Sequence, residues 1–467
     1  RAAPGEPGWH DHRRNVEREN IPGVAITITG FSEAARLAAK ADGLADLAVA
    51  EYPVAIGIQN PNDIKETIRT SLFEQIVAGL TSTVNGAAQT EHTGAAPDAT
   101  VFEGSLEGVN AHFAAEEWSD GLAIIPPTAA RVAAFLRFTD RDPDEVIAVL
   151  PQANLAATPR NIAANGIMAG CRPEHMPILI AAVQAIGDEH YNLGNIGTTG
   201  TLVPFLLING PIVEQLGIES RGQLISRGPN PALGRALGLI VRNIAGYRPG
   251  RNYLGTFGYQ LPFALAENEA ASPWQPFHVE HGFDADQSVV TAGGSMIWGY
   301  PPAPHSRSEK SGAQVTLELL CRELYKKTIL HCLPERGPDG FRHMVTLLIT
   351  PPIAQSLADE GYSKQDVRQY LYEHATVTRR ELEWHTRYSF AQAFTIEEKV
   401  EKGMFPEDFL VGPDELVRLL PSPDILHLIV CGEPGRNRLM GMHSVYVKPT
   451  SRAVELPKIW DHFLGGG

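Results

Sequence analysis

The chain has 467 residues, 43% of them apolar and 20% charged, and a net charge of −15. Those fractions are ordinary for a soluble globular protein long enough for two to four domains. The negative balance argues against a nucleic-acid surface, and no apolar run reaches the length of a membrane span. Cys171, Cys321, Cys332 and Cys431 are spaced too irregularly for a zinc ribbon or a disulfide framework, so a reducing cytoplasm is the expected compartment.

Residues 21–81 read as α/β. A buried strand is expected at 24–29, then Ser32 as N-cap of an alanine-rich helix at 33–41 that ends near Gly43. A second strand is expected at 47–49 and a helix at 63–80, followed by a small, polar loop over 81–100. Residues 101–124 are mixed, and 129–138 read as an amphipathic helix. A second unit, 141–304, is rich in glycine, asparagine and threonine. It holds an apolar helix at 178–186, a strand at 202–208, a turn at Asn209-Gly210-Pro211, and helices at 212–216 and 232–244. The third unit, 305–467, reads as a strand at 344–350, helices at 352–360 and 364–374, and a strand at 425–430 running into the loop from Cys431 to Arg436. The division expected is therefore 1–140, 141–304 and 305–467, all α/β. A weak internal similarity links Val24-x-x-x-Ile28-Thr29 and its following alanines to Val345-x-x-x-Ile349-Thr350.

Three groups of residues carry chemistry. Cys171 lies between Gly170 and Arg172, and Pro173 can begin a helix. A helix N-terminus beside a cation favours a thiolate, the nucleophilic form, although a free cysteine is also commonly a small core residue. Glu267, Asn268, Glu269, His278, Glu280 and His281 form the densest set of acids and histidines. In extended backbone, Glu267 and Glu269 would share a face, as would His278 and Glu280. Such a set could transfer protons or hold a divalent metal, or it could be a solvated acidic loop. Gly194 to Thr201, with Asn195, Gly197, Thr198, Thr199 and Gly200, could bind an anion or carbonyl through its backbone, or serve as a tight turn. It lacks the spacing of a dinucleotide fingerprint. The loop at Cys431 could reach a site at a strand end, Cys321 and Cys332 read as core residues, and His10 and His12 sit near the start.

The stretch from Asn161 through Asn165 and Met168 to Pro177, the phrase from Ala266-Glu267-Asn268-Glu269 to His278-Val279-Glu280, and Ser363-Lys364-x-Asp366-Val367-Arg368 resemble the UGSC-like family. Members are named for a selenocysteine- or cysteine-Gly-Ser-Cys motif and are regarded as redox-related. The resemblance implies Rossmann-like or thioredoxin-like three-layer units flanking a central α/β domain. Residues 9–19 are similar to the helix that follows the named motif, and Asn20-Ile21-Pro22 to the next turn. The motif itself would fall before Arg1, so the expectation is a removed N-terminal piece or a small subunit that supplies it. His281 stands where the family tends to have arginine, and Cys431 where it has a small apolar residue.

Three functions follow as expectations. The first is a thiol-dependent oxidoreductase or lyase in which Cys171 is the redox or nucleophilic thiol and Arg172 favours its thiolate. Glu267, Glu269, His278 and Glu280 would then move protons, and the loop 195–200 would hold a small organic substrate. The second is a metal-dependent lyase or hydratase with Glu267, Glu269, His278, Glu280 and His281 as ligands to a divalent metal. The third is a non-catalytic scaffold for a small redox partner carrying the Gly-Ser-Cys segment. An oligomer is expected, with neither nucleic acid nor membrane as partner.

Overall fold

The computed structural model describes residues 21–82, 99–256, 261–328, 336–389 and 394–465, apart from 42, 45, 46, 297, 298, 300, 338, 339, 342 and 446. The helix expected at 9–19, His10, His12, Cys332 and most of the loop at 81–100 lie outside them. The chain is mixed α/β, built from small sheets. No helix among the described residues is long and apolar enough to cross a membrane.

The N-terminal unit is the simplest. Strand β1 (Val24–Ile28) leads through Gly30 (φ 90°) into helix α1 (Ser32–Ala41), and β2 (Ala48–Tyr52) pairs with β1 in parallel. The helix expected at 63–80 is interrupted at Ile68–Leu72, where one turn widens.

The central unit starts with α2 (Pro159–Ala169). Thr158 caps it by accepting from the Asn161 amide, while Asn161 Oδ1 accepts from the Thr158 amide. Helix α3 (Met176–Ile186) leads to β3 (Val203–Asn209), α4 (Asn230–Asn243), β4 (Phe263–Ala266) and β5 (Val289–Ser295). In the C-terminal unit, α5 (Gly312–Thr328) precedes β6 (His343–Ile349). Then come α6 (Pro351–Asp359), α7 (Lys364–His374), β7 (Leu426–Val430) and β8 (Leu439–Val445). Strand β9 (Thr450–Ala453) leaves that unit and pairs with β5.

Four layers result. Leu206, Ile208, Ala264 and Ala266 turn one face of the sheet β9-β5-β3-β4 onto the helices of the central unit. Phe205, Leu207, Phe263 and Leu265 turn the other face onto Leu348, Ile429, Met440 and Met442 of the sheet β7-β6-β8. The far face of that second sheet, with Leu347, Ile349 and Leu428, packs on Ala313, Leu317, Leu357 and Val367 of α5, α6 and α7. Covered on both sides, β3 is buried along its whole length and reads as a continuous apolar run.

The two sheets repeat one construction. In each, a central strand (β3, β6) has a later parallel neighbour (β4, β7) on one side and a still later antiparallel one (β5, β8) on the other. Leu206-Leu-Ile208-Asn209-Gly210-Pro211-Ile212-x-x-x-Leu216 matches Leu347-Leu-Ile349-Thr350-Pro351-Pro352-Ile353-x-x-x-Leu357. The registers agree as well: Leu206 lies opposite Ala264 and Ala292, and Leu347 opposite Leu428 and Gly441. By this register Glu267 and Cys431 are equivalent positions.

The core of the central unit draws on residues outside 141–304: Phe113 and Phe135, on helices Leu106–Ala115 and Ala129–Leu136, belong to it, and so do Val454 and Trp460 near the C-terminal end.

Candidate functional site

In open α/β sheets, ligands gather at the carboxyl ends of the strands. Here those ends of β3, β4 and β7 meet. Asn209 is the last residue of β3, Glu267 follows β4 directly, and the Asn268 amide donates to Val430 O, the last carbonyl of β7 (2.7 Å). Strand alternation sends Phe263 and Leu265 between the sheets, so Glu267 points there too.

Glu267 is 1% exposed. Its Oε2 accepts from Asn209 Nδ2 and from the Phe277 amide, both at 2.7 Å. Its Oε1 has no hydrogen-bond partner, since Lys364 Nζ at 3.6 Å is within ion-pair range only. Burial pushes the carboxyl above its ordinary range, opposed by Lys364 and by the two hydrogen bonds. Asn209 Nδ2 also reaches Glu269 Oε1 (2.9 Å), which accepts from the Gly210 amide (2.8 Å). His278 is fully buried, with Nδ1 3.6 Å from Glu269 Oε1 and neither ring nitrogen hydrogen-bonded. Asn209 Oδ1 and Asn268 Nδ2 are buried and unpartnered as well. Buried polar atoms are rarely left so, and several on adjoining residues mark a place for water or a small ligand.

The cations come from α7. Ser363 caps that helix, which puts Lys364 in its first turn and Arg368 one turn on. Lys364 Nζ, 3% exposed, donates to Gln275 O (2.7 Å) and Glu280 Oε2 (2.9 Å). Arg368 donates to Leu426 O and to both oxygens of Glu280 (3.1 and 3.2 Å). Lys364 thus faces Glu267 and Glu280, and Arg368 faces Glu280. Burial favours the protonated form of Glu267.

The five residues expected as metal ligands are not drawn to a common point. Among the described residues no group of three or more His, Cys, Asp or Glu is placed to hold a metal ion. The physical reason is that the backbone is not extended where the sequence pattern assumed it. Glu269 opens a tight turn, Glu269–Ala271, and Phe277–Glu280 is a single helical turn. His278 therefore faces Glu269 while Glu280 turns to Lys364 and Arg368. His281 stacks on Phe277 (4.0 Å between ring centroids), its Nδ1 2.8 Å from Phe277 O, and burial lowers its basicity. His427 of β7 lies 5.6 Å from it and is held down to about 3 by burial and by the neighbouring His281 and Arg368.

Cys171 lies elsewhere. Gly170, at φ 91°, ends α2, and the Cys171 amide donates to Gly166 O (2.9 Å). Pro173 does begin a helical turn, Pro173–His175, that runs into α3. The sulfur, however, faces the helix layer, in the same core as Ile162 and Leu179. Arg172 turns away to Glu174 (2.8 Å) and Leu216 O (3.3 Å). Burial alone acts on the thiol and pushes it up to about 12, so the expected thiolate is not favoured. The asparagines that approach it are scaffolding: Asn161 caps α2, and Asn165 accepts from Asn243 Nδ2 of α4 (2.8 Å). Cys431 is buried between the sheets, its thiol raised by burial and by Glu267.

The glycine loop is at the wrong end for the Glu267 cluster. It precedes β3, whereas Asn209 ends it, a separation of roughly 20 Å along a seven-residue strand. Asn195 and Gly197 line a cleft against the N-terminal unit; Thr198, Thr199 and Gly200 lie outside that lining. Thr201 holds a left-handed φ of 60° and donates to Thr256 O, which anchors the loop. Asn209, Lys364, Arg368 and His427 were not expected in a site. Comparison with family models, with curated proteins and with solved structures finds no match.

Proposed function

We propose that the chain is an enzyme that moves protons on a small organic substrate at this cluster, as a lyase or hydratase does. Glu267 is the group that gives and takes the proton. One observation carries this reading: a buried carboxyl, raised above its usual range, with one oxygen clamped and the other unpartnered. A carboxyl raised above its ordinary range serves as general acid when protonated and as base when not. Asn209 fixes its orientation and links it to Glu269, whose side chain is 24% exposed and gives the cluster its solvent edge. Lys364 supplies positive charge beside the unpartnered oxygen, where negative charge on a substrate would develop.

Thiol chemistry at Cys171 rests on its sequence neighbours, Arg172 and the helix start, and on the likeness to the UGSC-like family; a scaffold role for a small redox partner and the Rossmann-like or thioredoxin-like character of the units rest on that likeness alone. A cytoplasmic setting rests on the irregular cysteine spacing. The buried, protonated state of the Cys171 sulfur favours the Glu267 reading over the thiol one.

A panel of small hydroxy and oxo acids, followed by proton NMR in deuterium oxide, tests the proposal. Loss of water or exchange of a carbon-bound proton is expected with the wild type. Glu267→Gln should slow it by about 100-fold or more, with unchanged circular dichroism. A Glu267→Gln protein as fast as wild type would refute it.

A further inference from the structure

The N-terminal unit closes a cleft of about 480 Å³ over the loop that precedes β3. We infer that this cleft binds an uncharged organic molecule with an apolar body and one hydrogen-bonding edge. Its volume lies in the range that holds a small ligand. One wall is the carboxyl end of β1 and the inner face of α1, with Ile28, Phe31, Ala35 and Ala38; the place is again that of ligands in α/β sheets. The alanines make it a shallow, flat surface. Gln152, Asn195 and Asn252 line the facing wall, with the backbone of Gly194 and Gly197. Asn252 is held rigid, as its Oδ1 accepts from the Arg248 amide and its Nδ2 donates to Gly246 O. Asn195 is exposed, and its amide and that of Gln152 supply the polar edge.

The charge pattern selects the ligand. Among the described residues that line the cleft none is charged, in a chain where one residue in five is. An ionic ligand would leave water for a wall with nothing to pair it, whereas a carbonyl or hydroxyl finds amides. The glycines show how close the loop stands to its neighbours. At Gly197 a Cβ would lie 2.6 Å from Asn252 O, so only glycine fits. At Gly194 an added Cβ meets nothing within 4 Å, so that position borders open space.

Gly194 therefore offers a variant that fills the cleft without disturbing the fold. The probes are prodan, an uncharged naphthalene ketone, and ANS, a naphthalene sulfonate of similar size. Titration of the full chain should show prodan binding at a single site with blue-shifted emission. Gly194→Leu, or Ala35→Phe from the opposite wall, should weaken it by about 10-fold or more. ANS should bind there at least ~10-fold more weakly. Prodan binding left unchanged by both variants, or ANS competing for the site as an equal, would overturn the inference. The cleft and the Glu267 cluster lie at opposite ends of β3, so neither outcome depends on the proposed activity.

Discussion

The central and C-terminal sheets are built alike and furnished differently. Strand for strand they share order, direction and register, down to matching Leu206 and Leu347. Yet after its parallel neighbour the central half has Glu267, and the C-terminal half has Cys431. At the end of the central strand one has Asn209 bonded to two carboxylates, the other Thr350 bonded to Arg438 O. A buried carboxylate needs donors and cations: Asn209 and the Phe277 amide are the donors from its own half, and the C-terminal half supplies the cations across the sandwich from α7. One half holds the acid and the other compensates it.

The largest expected effect breaks that division. Lys364→Met removes the buried cation that Glu280 shares with Arg368, and with it the charge beside the buried Glu267. Unfolding by urea should show a loss of about 3–5 kcal/mol; a loss under about 1 kcal/mol would mean the halves are not latched here. Next come matched truncations, Leu206→Ala and Leu347→Ala, both at fully buried positions. Each should cost about 2–5 kcal/mol, and a negligible cost for one would show that the halves are not packed alike.

A pH series sharpens the difference between the equivalent positions. Folded Glu267 keeps its proton to higher pH than the unfolded chain, whose value is the ordinary 4.5. That contribution is fully present below 4.5 and is lost as pH rises through the raised value. Each pH unit in that window removes about 1.4 kcal/mol. Relative to Glu267→Gln, the wild type should therefore lose stability as pH rises, whereas relative to Cys431→Ser it should show no slope at acid and neutral pH. Parallel melting curves for wild type and Glu267→Gln at every pH would contradict the raised carboxyl. The smallest effect is on thiol reactivity. Native Cys171 and Cys431, both buried, should alkylate more slowly than half-buried Cys321; rapid labelling of Cys171 by mass spectrometry would revive the thiol reading.

Much of the scaffold is legible in the sequence where local signals agree. The helix expected at 364–374 is found there because Ser363 and Asp366 cap it reciprocally. The strands β5 and β8 were not foreseen. In β5 the reason is plain: Gly293 and Gly294 dilute the apolar pattern, because a side chain at Gly293 would strike Phe205 on the neighbouring strand β3 and one at Gly294 would strike Ser444 of the facing sheet. The acids and histidines of the cluster drew notice because they lie close together in sequence. Their partners did not, since Asn209 is 58 residues from Glu267, and Lys364 is 84 from Glu280. Cys171 misled because its neighbours in sequence, Arg172 and the helix start, are not neighbours of its sulfur.

Strand β9 and Trp460 bear on how the molecule is made. The central sheet receives its outer strand from Thr450–Ala453, which lie beyond the whole C-terminal unit. During synthesis the central half emerges early but waits, with the edge of β5 open, until some 150 further residues have left the ribosome. An unpaired edge is where chains cross-associate. Proteins cut short of Thr450 should therefore aggregate through β5 even though both sheets' inner strands are complete.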